Sequence, residues 1–366
     1  MIRTILTPSL LVACVLLAGC AATNSRPAII SPEKTTNNLP NQKTTVELSC
    51  PSNRKDVPNA FYIGTYQGVE NDIAFGNIAQ DIFCADLFAN SINNSKGFVA
   101  IYGSSRIPDR KSECATDDIK CSQIKENNIE IYNNVFDFSY LWTKKHGSQF
   151  PIMTGAGPGL MEAGSRGAMK AVLEDKAAGR DSTKRSIGYT TYYDKPQISA
   201  GLSGEYCGAP PTQKKSLSSL RKYYCGNPAN AFWKYPNKTK ETDGEKITYE
   251  DIITDGLIFS SVSIREFMMI KHSSAIVIAP GGSGTEWEIF QILETIKSKQ
   301  LADVPVYLIG NKIAHWKSFS NRVEDMIARG TIKKDDLKYE HIENAVDLIP
   351  KLEALLDQAH LQSSNN

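Results

Sequence analysis

The sequence predicts an α/β fold: a Rossmann-like, doubly wound parallel sheet flanked by helices, with one irregular insertion. Short apolar runs without polar alternation predict the strands, at residues 97–102, 150–154, 186–193, 256–262, 274–280 and 304–309. Strands of this kind are buried on both faces, as in a parallel sheet covered by helices. Helical stretches separate most of the runs, and this alternation is typical of βαβ units.

The predicted helices are placed by the spacing of their apolar residues. Ile78 and Ile82 recur at helical spacing in the stretch that begins near residue 71, which favours a packing helix before the first run. A second helix is predicted over about residues 125–145, with Trp142 on its apolar face. Further helices are predicted at residues 160–179, 286–299, 315–329 and 343–358.

Residues 194 to about 250 interrupt the alternation. This stretch is rich in Gly, Pro, Tyr and Lys and is too long for a loop inside a compact βαβ unit. We therefore expect an insertion here. Its aromatic residues, among them Phe232, Trp233 and Tyr235, either form the insertion's own small core or line a substrate mouth or partner surface.

Composition excludes several classes of protein. The 366 residues are 41% hydrophobic, which suits a soluble globular chain with one large domain or two ordinary ones. The 41 Lys and Arg residues balance 40 Asp and Glu residues, so no basic field favours nucleic acid. No two of the five His residues stand at zinc-ligand spacing. We expect no nucleic-acid partner, no metal and no cofactor.

The first twenty residues predict export. Arg3 precedes an apolar run that is too short for a permanent membrane span and is typical of a secretory leader. The run ends in Leu17-Ala18-Gly19-Cys20, which resembles the lipobox of bacterial lipoproteins, where the cysteine is lipidated. A conventional signal peptide cut nearby and an uncleaved anchor are the alternatives.

The predicted organisation has three parts. Residues 1–19 form a lipoprotein signal peptide, residues 20–57 a flexible, lipid-anchored tether, and residues 58–360 the Rossmann-like domain. The tether is rich in Asn, Thr, Pro and Lys and cannot bury enough apolar surface to order itself. We expect the protein in the bacterial cell envelope, held by its lipid at the periplasmic face or in the outer membrane.

Six cysteines remain once the leader and the lipid site are set aside, and an exported chain can pair them. Fifteen pairings are possible for six cysteines. Closeness in sequence favours Cys114 with Cys121 and Cys207 with Cys225, which leaves Cys50 with Cys84. Free buried thiols are the alternative.

Three small-residue loops follow predicted strands. They are Gly103-Ser104-Ser105, Gly155-Ala156-Gly157-Pro158-Gly159 and Pro280-Gly281-Gly282-Ser283-Gly284-Thr285. In a doubly wound sheet such loops let backbone amides approach an anion at a helix N-terminus. None completes a dinucleotide or triphosphate motif, so a monophosphate or phosphosugar cradle is favoured over tight turns alone.

The third loop continues through Glu286-Trp287-Glu288, and the nine residues from Pro280 match Pro-Gly-Gly-x-Gly-Thr-x-x-Glu. This pattern resembles the signature of the Lonely Guy (LOG) family, long mislabelled as lysine decarboxylases. Arg265 stands where that family has its active-site arginine, and residues 154–169 are similar to its second glycine-rich element. Two features depart from the family: Glu266 replaces a frequent lysine, and the insertion lies outside the common core.

The resemblance implies a phosphoribohydrolase that splits a nucleoside 5′-monophosphate into free base and ribose 5-phosphate. Glu288 is then the carboxylate that stabilises the ribosyl centre and activates water, and Arg265 binds phosphate or ribose or keeps Glu288 ionised. The implied phosphate and ribose contacts are Gly281, Gly282, Ser283, Gly284, Thr285, Gly103, Ser104, Gly157, Gly159 and Glu162. The resemblance also implies a homodimer.

Other readings of the same residues remain open. Thr285 with Glu288, and Ser263 with Glu266, have the spacing of helix capping boxes. A non-catalytic nucleotide- or phosphosugar-binding lipoprotein is the alternative function. Lysine decarboxylation is rejected, because nothing in the sequence marks the positioned lysine that its aldehyde cofactor needs.

Overall fold

The computed structural model describes residues 49–50, 57, 59–64, 75–92, 96–107, 119–180, 183–191, 232, 234–241, 244–301 and 303–363. The predicted signal peptide and almost all of the predicted tether lie outside these ranges, as does most of the insertion. Cys20, Cys114, Cys207, Cys225 and the side chain of Cys121 also lie outside them.

Within the described ranges, ten strands form two sheets. The strands are β1 (Ala60–Ile63), β2 (Phe98–Tyr102), β3 (Ile152–Thr154), β4 (Ser186–Thr191), β5 (Lys234–Glu241), β6 (Gly244–Asp251), β7 (Asp255–Phe259), β8 (Ser273–Ile278), β9 (Val306–Ile309) and β10 (Glu340–Ile342). Eight of them form the main sheet in the order β1-β7-β4-β3-β2-β8-β9-β10. Every pairing in that sheet is parallel.

Helices connect the strands of the main sheet. They are α1 (Phe75–Ser91), α2 (Ile119–His146), α3 (Leu160–Ala177), α4 (Val262–Lys271), α5 (Ser283–Lys297), α6 (Lys317–Ala328) and α7 (Leu348–Ser363). A π-helical turn at Lys312–Trp316 precedes α6, and a 3₁₀ turn at Ala345–Asp347 precedes α7. None of the helices in the described ranges is long and apolar enough to cross a membrane.

The strand β2 shows why the apolar runs lack alternation. Phe98, Ala100 and Tyr102 pack in the core on one face of the sheet, with residues of α1, α4 and α5. Val99 and Ile101 pack in the core on the other face, with residues of α2, α3 and α7. Because helices cover both faces, every residue of the strand is buried, and the predicted doubly wound fold is confirmed.

The insertion is more regular than the sequence predicts. Strands β5 and β6 pair in antiparallel register as a two-stranded hairpin, separate from the main sheet. Phe232, just before the hairpin, is buried in a small cluster with Ile253 and Ile258. This residue therefore belongs to the domain core, and the prediction of an irregular segment is wrong for residues 234–251.

Helix α1 is tied to the segment before it by a disulfide. Cys50 and Cys84 are bonded, with their Cα atoms 5.6 Å apart. Cys84 has no exposed surface and lies in the core against the sheet. Of the three predicted pairings, this is the one that falls within the described residues, and it is formed.

Candidate active site

The site is assembled from three loops at the carboxyl ends of β2, β3 and β8. Strands β2 and β8 are neighbours in the sheet, and the chain continues from β2 to β3 on one side and from β8 to β9 on the other. Ligands of doubly wound sheets bind at such a switch point. Backbone hydrogen bonds join the loops. The amide of Leu160 donates to Ser104 at 2.9 Å, and the amide of Ser104 donates to Pro280 at 3.1 Å.

Close backbone contact between the loops requires glycine at position 159. Gly159 has φ of 76°, in the left-handed region that residues with a Cβ rarely adopt. A Cβ added there would stand 2.3 Å from the carbonyl oxygen of Ser104. Gly159 thus lets the start of α3 dock against the loop after β2.

Helix α5 begins inside the third loop. Its N-cap is Gly282 and its first residue is Ser283, so Thr285 is the third residue of the helix rather than its cap. The capping-box reading of Thr285 with Glu288 is therefore wrong. The amides of the first turn have no acceptor within the helix and carry its partial positive charge, which makes this end a site for an anion.

Helix α4 delivers two charged side chains to the same place. Its N-cap is Ser261, so Ser263 and Glu266 do not form a capping box either. The side chains of Arg265 and Glu266 are only 6% and 1% exposed, and Nη2 of Arg265 contacts Oε1 of Glu266. A buried ion pair of this kind holds the guanidinium in place.

The start of α4 is anchored from α1. The backbone amide of Ser260 donates to Oδ2 of Asp81 at 2.9 Å, and the Ser260 hydroxyl donates to the same atom. The hydroxyl of Tyr62 donates to Oδ1 of Asp81 at 2.7 Å. Because Asp81 has no exposed surface, this buried carboxylate fixes the turn that leads into Arg265.

Glu288, on α5, lies near the same nitrogen of the guanidinium that Glu266 contacts. Its Oε1 lies 3.8 Å from Nη2 of Arg265, and its side chain is 15% exposed. Burial raises the pKa of Glu288 to about 7, and the positive charge of Arg265 opposes the rise. The carboxyl group therefore changes its charge near neutral pH, as a general acid or base must.

Tyr102, the last residue of β2, lies near Arg265 and Glu288. Its hydroxyl is buried and has no hydrogen-bond partner among the described residues. Burial raises the pKa of the Tyr102 phenol well above its usual value, and the charge of Glu288 raises it further. The phenol therefore stays protonated beside the two charged groups.

The three loops and the two helices enclose one cavity of about 490 Å³. Most of the residues predicted from the sequence line it: Gly103, Ser104, Gly157, Arg265, Gly282, Ser283, Gly284, Thr285 and Glu288. The fold thus brings predicted residues from four separate segments of the chain into one cavity.

Three predicted residues lie outside the cavity lining. Gly159 shapes the loop contact described above. Gly281 makes room for Thr285, whose Oγ1 would stand 2.0 Å from a Cβ added at position 281. Glu162 points elsewhere: it is buried and accepts a hydrogen bond of 2.7 Å from Tyr132, which in turn accepts one from Arg166. Glu162 does not line the cavity, and its contact with ribose stays a prediction.

The cavity also contains residues that the sequence did not single out as ligands. They are Ser105, Arg106, Pro158, Met161, Val262, Glu266 and Trp287. Arg106 adds a basic residue to the lining, and its backbone amide donates to Oγ of Ser104 at 3.0 Å. The sequence could have indicated Arg106, because it directly follows the first loop and a basic residue beside a small-residue turn suits an anion.

Together these features define an α/β protein with a cavity at the switch point of a parallel sheet, lined by a helix N-terminus and by a buried arginine that lies near two carboxylates. Residues 234–352 match a family model described as "Possible lysine decarboxylase". The match includes Arg265, the third loop and Glu288, and it does not include the first two loops.

Solved structures give a more distant likeness. One is a molybdenum cofactor binding protein from the phototrophic bacterium Rippkaea orientalis, with 15% identity, a TM-score of 0.35 and coverage of 72% of this chain and 98% of that one. Another is a structural-genomics target with 13% identity, a TM-score of 0.36 and coverage of 70% and 99%. A comparison with curated proteins found no significant match.

Proposed function

We propose that the protein is a phosphoribohydrolase, which hydrolyses the N-glycosidic bond of a nucleoside 5′-monophosphate to free base and ribose 5-phosphate. The observation that carries this proposal is that Glu288, Arg265 and the first residues of α5 line one cavity. The family match over residues 234–352 supports it, since the match contains the nine-residue signature and Arg265, which carry most of the LOG resemblance.

The phosphate group is bound at the start of α5. The amides of Ser283, Gly284 and Thr285 face no acceptor within the helix and can donate to its oxygens. Arg106 and Ser104 line the same cavity as this helix end. The substrate is therefore held by its dianionic end, and the sugar extends toward Glu288.

Glu288 acts at the glycosidic carbon. As the bond between C1′ and the base nitrogen breaks, its electron pair leaves with the base and C1′ becomes cationic. The ionised carboxylate stabilises this centre. A water molecule then bonds to C1′, Glu288 accepts a proton from that water, and the proton passes to the departing base.

Arg265 favours the ionised form of the Glu288 carboxyl group. Its guanidinium lies 3.8 Å from Glu288 and lowers the pKa that burial would otherwise raise further. Nη2 of Arg265 also contacts Oε1 of Glu266, its neighbour on α4. Arg265 thus supports the ionised form of Glu288 at neutral pH.

A panel of nucleotides tests the proposal. The purified protein is incubated with AMP, GMP, CMP and UMP, and free base is measured by chromatography. We expect base release by the wild type and a loss of at least about 100-fold for Glu288→Gln, as is typical for removal of a general base. Nucleotide binding by calorimetry that survives Glu288→Gln, with no turnover by the wild type, would instead establish a non-catalytic binding protein.

We also propose that the chain is exported and lipidated at Cys20. The sequence Leu17-Ala18-Gly19-Cys20 supports this, and so does the Cys50–Cys84 disulfide, because disulfides persist in oxidising compartments. Mass spectrometry of the membrane fraction tests it. We expect a lipid-modified N-terminal cysteine that is lost in Cys20→Ser, and an unmodified, soluble wild-type chain would contradict the proposal.

A further inference from the structure

Two apolar side chains at the mouth of the cavity are exposed to solvent. Trp287 is 45% exposed and Val262 is 46% exposed. They stand in the first turns of α5 and α4, and both line the cavity. Large apolar groups exposed at the opening of a polar cavity are a common way to bind the apolar part of a ligand.

Trp287 differs from two other tryptophans of the domain. Trp142 and Trp316 are buried, and their indole N–H groups donate to the carbonyl oxygens of Phe150 and Ile309, both at 2.9 Å. Those two rings are parts of the core. Within the described part of the chain, Trp287 has neither the ring contacts nor the indole hydrogen bond that those two rings make.

The position of Trp287 relates its ring to the proposed chemistry. It directly precedes Glu288 in the same helix, while the amides proposed to bind phosphate lie at the start of that helix. In a nucleotide, the sugar lies between the phosphate and the base. A substrate with its phosphate at the helix start and C1′ at Glu288 therefore has its base outside the buried charges, on the side of the mouth.

We infer that Trp287, with Val262, forms a base-binding subsite in which the indole stacks on the nucleobase of the substrate. This inference rests on the proposed phosphoribohydrolase function and adds how the base is recognised. Stacking on an aromatic face tolerates every base, since each has a π-face. The subsite accepts all four nucleotides and prefers purines, whose larger rings cover more of the indole.

Binding measurements on two ligands test the inference. They are made in the Glu288→Gln background, so that nothing is hydrolysed, with AMP and with ribose 5-phosphate, which lacks the base. We expect Trp287→Ala to weaken AMP binding about ten-fold or more, in line with a base–aromatic stack, and to leave ribose 5-phosphate binding unchanged. Trp287→Phe keeps a ring and should retain most of the AMP affinity.

Phe267→Ala is the matched control, because Phe267 is an exposed aromatic residue of α4 that does not line the cavity. It should change neither affinity. Unchanged AMP affinity in Trp287→Ala, or an equal loss for both ligands, overturns the stacking subsite. If the wild type releases base while Trp287→Ala has the same KM, the subsite is wrong and the hydrolase stands. If the wild type neither binds nor cleaves any nucleotide, both are wrong.

Discussion

The guanidinium of Arg265 lies 3.8 Å from the carboxylate of Glu288, although the two residues belong to different helices, one before β8 in the sequence and one after it. Burial raises the pKa of Glu288 and the arginine lowers it, with a result of about 7. The charge state of this carboxyl group is therefore set by the packing of α4 against the start of α5. Four predictions depend on this relationship and on the loops around it.

Base release should rise with pH as Glu288 ionises. The proposed mechanism needs the carboxylate, so kcat/KM for AMP is expected to increase about ten-fold per pH unit below the pKa of about 7 and to level off above it. Initial rates between pH 5 and pH 9 measure this. A profile that is flat across pH 7 would show that the rate does not depend on the ionisation of Glu288.

Glu266→Gln should move that profile to lower pH. Loss of the Glu266 carboxylate leaves the charge of Arg265 unopposed beside Glu288, which should lower the pKa of Glu288. Glu286→Gln is the control, because Glu286 pairs with Arg322 at the surface and does not line the cavity. An equal shift in both variants would mean that general charge, not the buried pair, sets the profile.

Glu288→Gln should stabilise the fold at high pH only. Below pH 4.5, the ordinary pKa of the group, Glu288 is protonated in both the folded and unfolded states and its burial costs no ionisation energy. As pH rises from 4.5 to about 7, the unfolded state ionises Glu288 before the folded state does, so the wild type loses up to about 3 kcal/mol, since each unit of pKa shift corresponds to about 1.4 kcal/mol, and the full loss persists above pH 7. Thermal unfolding of both proteins at pH 4 and pH 9 measures the difference, and an equal difference at both values would contradict it.

Gly159→Ala should damage both stability and activity. The added Cβ meets the carbonyl oxygen of Ser104 at 2.3 Å and also needs a left-handed backbone, so we expect a loss of about 2–4 kcal/mol and a raised KM. Gly179→Ala has a similar φ of 67° but open space around its Cβ, and should cost only about 1 kcal/mol. Denaturant titration compares them, and equal losses would show that loop contact plays no part.

Much of this fold follows from its apolar runs. Each predicted run corresponds to a strand of the main sheet, because burial on both faces leaves an unbroken apolar signal. The strands β1 and β10 were not predicted. They are edge strands of four and three residues, too short to give a periodic pattern, and their pairing depends on neighbours that are distant in sequence.

The site residues that lie in a local sequence pattern could be predicted, whereas contacts between side chains of different elements could not. The third loop, Arg265 and Glu288 carry a local pattern, and the structure brings them into one cavity. The partner of Glu162 was not predictable, because Tyr132 reaches it from another helix. The contact of Glu266 with Arg265 was also missed, since the direction of adjacent side chains on a helix depends on tertiary packing.

The most direct test of the account is a balance of the products formed from AMP. The wild type is predicted to release adenine and ribose 5-phosphate in equal amounts, with Glu288→Gln at least about 100-fold slower. Adenosine with inorganic phosphate, intact AMP after prolonged incubation, or equal rates for the two proteins would contradict the account.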